Sequence, residues 1–268
     1  MELWNNYKSS VCSFNTFDNY FNNHHEIDCL KNDTDNNYSL SQLIISSNSG
    51  NGVTHLMHAI CNKWAKENKN IYYIKSQTLC YFIKKIKTKL ELINFQTQLL
   101  KYDLIAIDNI EYFYKKTKNL SSFIFELYIK CNERNIPLIF GCSNPKKDFT
   151  KIKSNSKLFN LKRIDLKQLN GIDVFKILKS LCEYETHIPD NLIYAISNYN
   201  GTVQQYINCL ISIRFKSKID GINLKDFSSD EIERYFNIKI YFNKQQFRKC
   251  FYNMQFEFPK KVINTYNK

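Results

Sequence analysis

Apolar residues along this chain fall in two rhythms. Short unbroken runs occur at Leu43–Ser46, residues 71–74, the stretch that ends at Asp108 and Leu138–Cys142, and such runs suit buried strands, with a fifth strand expected at residues 162–166. Between them the apolar residues return every three or four positions. Leu56, Ala59, Ile60 and Trp64 do so, as do Leu79, Phe82, Ile83, Ile86 and Leu90, and residues 120–131 follow the same spacing. Strands that alternate with helices predict an α/β fold, a parallel sheet with helices on both faces. Residues 171–213 are helical in pattern, with a break at Ile188 and Pro189, and predict a helical appendage. Residues 30–40 are rich in Asn and Asp and read as a loop.

The loop after the first strand carries the first chemical signal. Residues 47–61 run from a Gly-containing loop straight into a helix, the order of a phosphate-binding loop, G-x-x-x-x-G-K-[ST]. In that motif glycines let backbone N–H groups wrap a phosphate, and the helix N-terminus adds partial positive charge. Gly52 and Thr54 fit the spacing, whereas Ser47 stands at the first Gly position and Val53 at the Lys position. The second signal is the apolar run ending in a carboxylate at Asp108, the way such ATPases place an acid beside Mg²⁺.

Thr54-His55-Leu56-Met57-His58-Ala59-Ile60 resembles the helix that opens the ATPase domain of DnaA, the family of bacterial chromosomal replication initiators. Phe14-Asn15-Thr16-Phe17-Asp18-Asn19-Tyr20-Phe21 resembles the family's Thr-Phe-Asp-Asn-Phe segment, which lies beside the adenine pocket. The resemblance covers about residues 14–242. It implies an AAA+ core with a five-stranded parallel sheet over residues 1–168, a small helical lid over 169–228 and a helical extension over 229–268.

By the same resemblance, Ser49, Gly50, Asn51, Gly52, Val53, Thr54, Asp108, Asn144 and Gln204 are the nucleotide-contacting positions. Thr54 and Asp108 are the magnesium-holding pair when ATP is bound, and Asn144, in Ser143-Asn144-Pro145, matches the polar sensor after a strand. The departures share a direction. Val53 replaces the lysine, Asn109 the second acid and Gln204 the sensor arginine of the lid. An amide accepts no proton from an attacking water, so hydrolysis loses its general base, and with two phosphate-binding cations lost ATP with Mg²⁺ is expected to bind weakly.

Lys84, within a run that also holds Lys85, Lys87 and Lys89, and Lys118 match positions the family uses on single-stranded DNA. Lys153 and Lys157 stand where the family carries arginines for the neighbouring subunit, although lysine lacks the planar fork. Glu233 to Ile240 matches the start of the family's connecting helix, and the Gly-Arg-Asp-His-Thr-Thr helix-turn-helix signature is not found, so ordinary duplex reading is expected to be missing. His187, beside the Ile188–Pro189 break, reads as structural.

Composition narrows the partners. A net charge of +13 and a pI near 9.2 point to a polyanion. Six Gly and four Pro beside 18 Tyr and 20 Phe, with abundant Lys, Asn and Ile, match a genome rich in A·T codons, which supplies part of that lysine excess. The nine cysteines form no C-x-x-C pair and read as reduced core thiols. His55, His58 and Cys61 drift around their helix and read as incidental polar groups, not as a metal site. No apolar run approaches the roughly 20 residues of a membrane span, and no signal-peptide core opens the chain, so a cytoplasmic protein is expected.

Together these features point to a DnaA-like initiator that binds origin DNA, single-stranded and A·T-rich, with an eroded ATP site and little hydrolysis. The resemblance also implies self-assembly into an oligomer or filament and contact with a replicative helicase. The alternative is an initiator-regulating or helicase-loader-like AAA+ relative acting through protein contacts.

Overall fold

The computed structural model describes residues 11, 30, 42–48, 50–113, 118–147, 160–182 and 188–239, with the side chains of residues 118–121, 181 and 204 outside that description. The chain divides into two compact units at Leu169 and Asn170. The first unit is built on β1 (Leu43–Ser46), α1 (Val53–Lys66), β2 (Ile71–Lys75), α2 (Ser76–Lys85) and α3 (Lys89–Leu99). Then come β3 (Leu104–Asp108), α4 (Lys118–Glu133), β4 (Leu138–Cys142) and β5 (Lys162–Asp165).

The five strands form one parallel sheet in the order β2-β3-β4-β1-β5. Parallel strands need long crossovers, and helices supply them on both faces. Every residue of β1, β3 and β4 is buried, which is why these strands read as continuous apolar runs. The pleat sorts their side chains into two cores. Leu43, Ile45, Tyr73, Leu104, Ala106 and Ile139 pack with Leu56, Met57 and Ile60 of α1. On the other face Ile44, Ile74, Ile105, Ile107 and Phe140 pack with Leu79, Phe95 and Phe123 of α2, α3 and α4. At the rim, β5 exposes Lys162 and Arg163, charges that discourage pairing with a further strand.

One expectation fails. The periodicity of Leu79 to Leu90 predicts a single helix, but α2 stops at Lys85 and Ile86 is extended. Thr88 starts a new helix, because its hydroxyl accepts from the Glu91 N–H at 3.1 Å while the Glu91 carboxylate accepts from the N–H groups of Lys87 and Thr88. A capping box of this kind satisfies N–H groups that a helix start would leave bare. Leu90 is consequently 68 % exposed rather than buried.

The second unit holds α5 (Gly171–Cys182), α6 (Asp190–Ser197), α7 (Val203–Ile219) and α8 (Ser229–Phe236). α6 packs on the other three, and Leu192, Ile193 and Ile196 of α6 are buried, as are Leu178, Ile213 and Phe236 of its neighbours. Capping boxes at Thr202 with Gln205 and at Ser228 with Glu231 set the starts of α7 and α8. The expected helical stretch thus has a second interruption, at residues 198–202, and runs on past position 213 to Ile219. The Asn-rich loop expected at 30–40 lies outside the described residues except for the buried Leu30. All six described cysteines are buried and none is in a disulfide.

Candidate functional site

The loop that follows β1 begins with two anchors. Ser47 donates its N–H to the Cys142 carbonyl and its hydroxyl to the Leu166 carbonyl, both at 3.0 Å. These bonds fasten the loop to β4 and to the end of β5. Gly50 and Gly52 then take left-handed backbone angles, φ 89° and 92°, which an L side chain resists. Gly52 caps α1 with no side-chain hydrogen bond, and the first turn of α1 carries no acid. A helix start of this kind, behind a loop with left-handed glycines, suits phosphate oxygens.

Position 53 offers no cation. Val53 is 3 % exposed and belongs to the core beneath α1. Thr54, one residue on, donates its hydroxyl to Asp108 Oδ2 at 2.7 Å. Asp108 itself is 0 % exposed at the end of β3. The Tyr73 hydroxyl donates to the same oxygen at 2.9 Å, and the Asn109 N–H donates to Oδ1 at 2.8 Å. The Ser76 hydroxyl fixes the Asp108 carbonyl at 2.7 Å. Gly141 on β4 makes room for this arrangement, since a Cβ there would lie 2.2 Å from Met57 Sδ and 2.5 Å from Asp108 Oδ1.

Neighbouring groups are tuned by burial. Desolvation holds the His58 imidazole below its ordinary value, while nearby Asp108 pulls it back up, and its ring meets Tyr73 edge-on at 4.6 Å. Burial pushes the Cys61 thiol up to about 12, so it is no nucleophile at neutral pH. No three His, Cys, Asp or Glu side chains gather as a metal site among the described residues.

Glu111 sits in a 3-10 turn, Ile110–Phe113, and accepts from the Ser143 N–H at 3.1 Å. Burial pushes its carboxyl above the ordinary 4.5, backbone N–H groups of Glu111 and Ser143 pull the other way, and the Asp108 charge adds to the rise. A raised folded value means that the Glu111 contribution to stability is fully present below about pH 4.5 and is lost as pH climbs through the folded value. Glu111→Gln is therefore expected to raise the unfolding temperature near pH 7 by about 1–2 °C, a modest gain because the group is only half buried. At about pH 4 no gain is expected. Thermal unfolding at the two pH values checks this, and equal gains at both would contradict it.

Of the residues singled out from the sequence, the structure brings together Gly50, Asn51, Gly52, Val53, Thr54 and Asp108. Asn144 follows β4, whose sheet neighbours are β3 and β1, and its carbonyl accepts from the Lys147 N–H at 2.8 Å. Lys84 is exposed in the last turn of α2, and α2 begins directly after β2, so about 12 Å of helix separates Lys84 from the end of β2 that pairs with Asp108. Lys118 opens α4 and Gln204 lies in the first turn of α7. Ser49, Lys153, Lys157, His187 and the aromatic segment Phe14 to Phe21 lie outside the described residues.

Tyr73, Glu111 and Gly141 escaped the sequence reading. So did Lys75, an exposed cation whose register partner is Asp108. The period-2 alternation of β2 puts Ile71, Tyr73 and Lys75 on one face, but only the strand register sets that face beside Asp108.

Comparison with known proteins agrees with this architecture. The family model of the bacterial DnaA ATPase domain matches residues 13–160. The chromosomal replication initiator protein DnaA of Helicobacter hepaticus is 24% identical over 207 residues, 71% of this chain and 44% of that protein. The chain spans less than half the length of the curated relatives it matches. Domain III of the Thermotoga maritima replication initiation protein DnaA superposes with a TM-score of 0.69 at 14% identity, covering 84% of this chain and 96% of that one. A replication initiator DnaA bound to AMPPCP and single-stranded DNA gives a TM-score of 0.64 at 18% identity, over 77% of this chain and 66% of that one. At such identities the two structures share the fold.

Proposed function

This chain belongs to the bacterial DnaA ATPase domain family, and from that membership we propose that it is a DnaA-like replication initiation protein that binds origin DNA while hydrolysing little or no ATP. The observation that carries the reading is the exposed run of Lys84, Lys85, Lys87 and Lys89 on a fold shared with an initiator solved on single-stranded DNA. Lys118 is the second position assigned to the strand. Their partner is A·T-rich single-stranded DNA, bound mainly through its phosphates.

Three features support an eroded ATP site. Val53 is buried where a phosphate-binding lysine belongs, Asn109 replaces an acid, and Gln204 replaces a sensor arginine. A charged hydrogen bond contributes about 1.5–3 kcal/mol, so two lost cations weaken ATP by about two to four powers of ten. What remains is the backbone loop with Thr54, Asp108 and Asn144. Assembly with further copies engages Lys153 and Lys157, and a replicative helicase is a further partner of this reading. No helix among the described residues is long and apolar enough to cross a membrane.

The test is titration of the purified chain with A·T-rich single-stranded and duplex DNA across a salt series. Single-stranded binding is expected to weaken steeply with salt. Lys84→Ala and Lys118→Ala are each expected to weaken it several-fold and to reduce the slope of log K on log salt by about 0.7. Unchanged binding and slope in both variants would remove this face from the interface.

A second reading rests on α7. Ile211, Phe215 and Ile219, four residues apart, form an exposed apolar line in the second unit. A relative that regulates the initiator or loads a helicase through protein contacts would use such a line. Absence of DNA binding at low salt would favour that reading.

A further inference from the structure

A cavity of about 360 Å³ opens at the edge of the sheet, between β2 and the C-terminal end of α3. It is separate from the phosphate loop. Thr54 and Asp108 meet at the C-terminal ends of the strands, whereas Asn70, which lines the cavity, precedes β2 at its opposite end. The strand between them, Ile71–Lys75, spans about 13 Å.

Three aromatic and three polar side chains supply most of the lining. Tyr72 and Phe95 are buried and Tyr102 is half-buried, and the Tyr72 and Tyr102 rings lie 5.0 Å apart at 48°, an open wedge and not a stack. Asn70, Gln98 and Lys101 are exposed, and their side chains make no hydrogen bond or ion pair among the described residues. Backbone bonds nevertheless hold this frame. The Asn70 N–H donates to the Asp103 carboxylate at 2.7 Å, and the Asn70 carbonyl accepts from the Asp103 N–H at 2.8 Å. The N–H groups of Lys101 and Tyr102 donate to the Gln98 and Leu99 carbonyls, both at 3.2 Å, so the turn that ends α3 presents these two residues to the cavity.

Each kind of group selects one feature of a ligand. Aromatic faces stack a planar ring, a carboxamide matches the paired donor and acceptor on the edge of a nucleobase, and an ammonium is a point charge for phosphate. The volume suits a small molecule. Lys101 is the one cation among the lining residues, which matches a single phosphate, whereas a strand brings a phosphate on either side of each base. We propose that this cavity is a second ligand site, which takes a free nucleoside monophosphate with its base in the aromatic wedge, the base edge on Asn70 and Gln98, and the phosphate on Lys101. The site stands apart from the ATP-site and DNA readings, since none of its residues belongs to either.

2-Aminopurine riboside 5′-monophosphate, whose base is fluorescent, tests this when titrated into the full chain and followed by anisotropy. Saturable binding is expected, with displacement by AMP. Tyr102→Ala is expected to weaken it about tenfold, whereas Tyr102→Phe, which keeps the ring, changes it by less than about twofold. Lys101→Ala is expected to weaken the monophosphate about tenfold and to leave the unphosphorylated riboside within about twofold of its wild-type affinity. The circular dichroism of each variant shows that it is folded.

A titration that does not saturate at millimolar probe overturns the proposal. Binding that Tyr102→Ala and Lys101→Ala both leave unchanged puts the probe elsewhere, the phosphate loop included, and overturns it too. Displacement by an A·T-rich single strand where AMP has no effect would give the cavity to a base of that strand, and the assignment to a free nucleotide would fall.

Discussion

Gly141→Ala is expected to destabilise the sheet unit by about 3 kcal/mol or more. Gly141 lies mid-strand in β4, paired with Ile45 of β1, and nothing about its backbone demands glycine. Space demands it. An added methyl would sit 2.2 Å from Met57 Sδ, 2.5 Å from Asp108 Oδ1 and 3.1 Å from Val53 Cγ1. Met57 is fully buried and has little room to retreat, so the collision falls on α1 and on the carboxylate. Overpacking a core costs about 1–3 kcal/mol. Pushing Asp108 away from Thr54 or Tyr73 adds the loss of a hydrogen bond to a charged group, about 1.5–3 kcal/mol. Urea unfolding of the wild type and the variant measures the difference, and a midpoint within error of wild type would contradict the crowding described at this strand.

The second large effect concerns ligand affinity. Val53→Lys is expected to tighten ATP binding by about ten- to a hundredfold, the worth of one charge-assisted contact to phosphate. The loop already holds its left-handed glycines and the uncapped start of α1, so the new ammonium meets a loop shaped for phosphate. A cost in stability accompanies the gain, because the valine now fills core space beside Gly141 and a lysine must run its stem out to the loop. Nucleotide titration with a parallel thermal melt separates the two effects. An affinity that does not change would mean that the loop is not aligned on a phosphate, and the reading of this site would fall with it.

Much of the architecture is legible in the residues themselves. The central strands β1, β3 and β4 show as apolar runs because the sheet is covered on both faces, whereas the edge strand β5 carries charges, and the loop between β1 and α1 shows because glycines and Thr54 keep their spacing. The motifs alone place Thr54 beside Asp108, and the two meet at 2.7 Å. The helix break at Thr88 is hidden in the apolar pattern for a physical reason. Apolar spacing across residues 79–90 is unbroken, whereas the competing signal, Thr88 followed three residues later by Glu91, is local and short.

The role of Tyr73 is hidden for a different reason. Its partner is 35 positions away in sequence, and the contact exists only because β2 pairs with β3 in one register. Gly141 likewise looks like an ordinary strand residue until Met57 and Asp108 are placed against it. Long-range register, not local pattern, carries the chemistry of this site.

With the ATP site eroded as proposed, this DnaA-family fold is expected to engage DNA independently of ATP. The most direct measurement is fluorescence anisotropy of an A·T-rich single strand titrated with the purified chain at low salt, with and without millimolar ATP and Mg²⁺. Binding with the same affinity in both conditions is expected. Binding that appears only with ATP, or no binding in either, would contradict it.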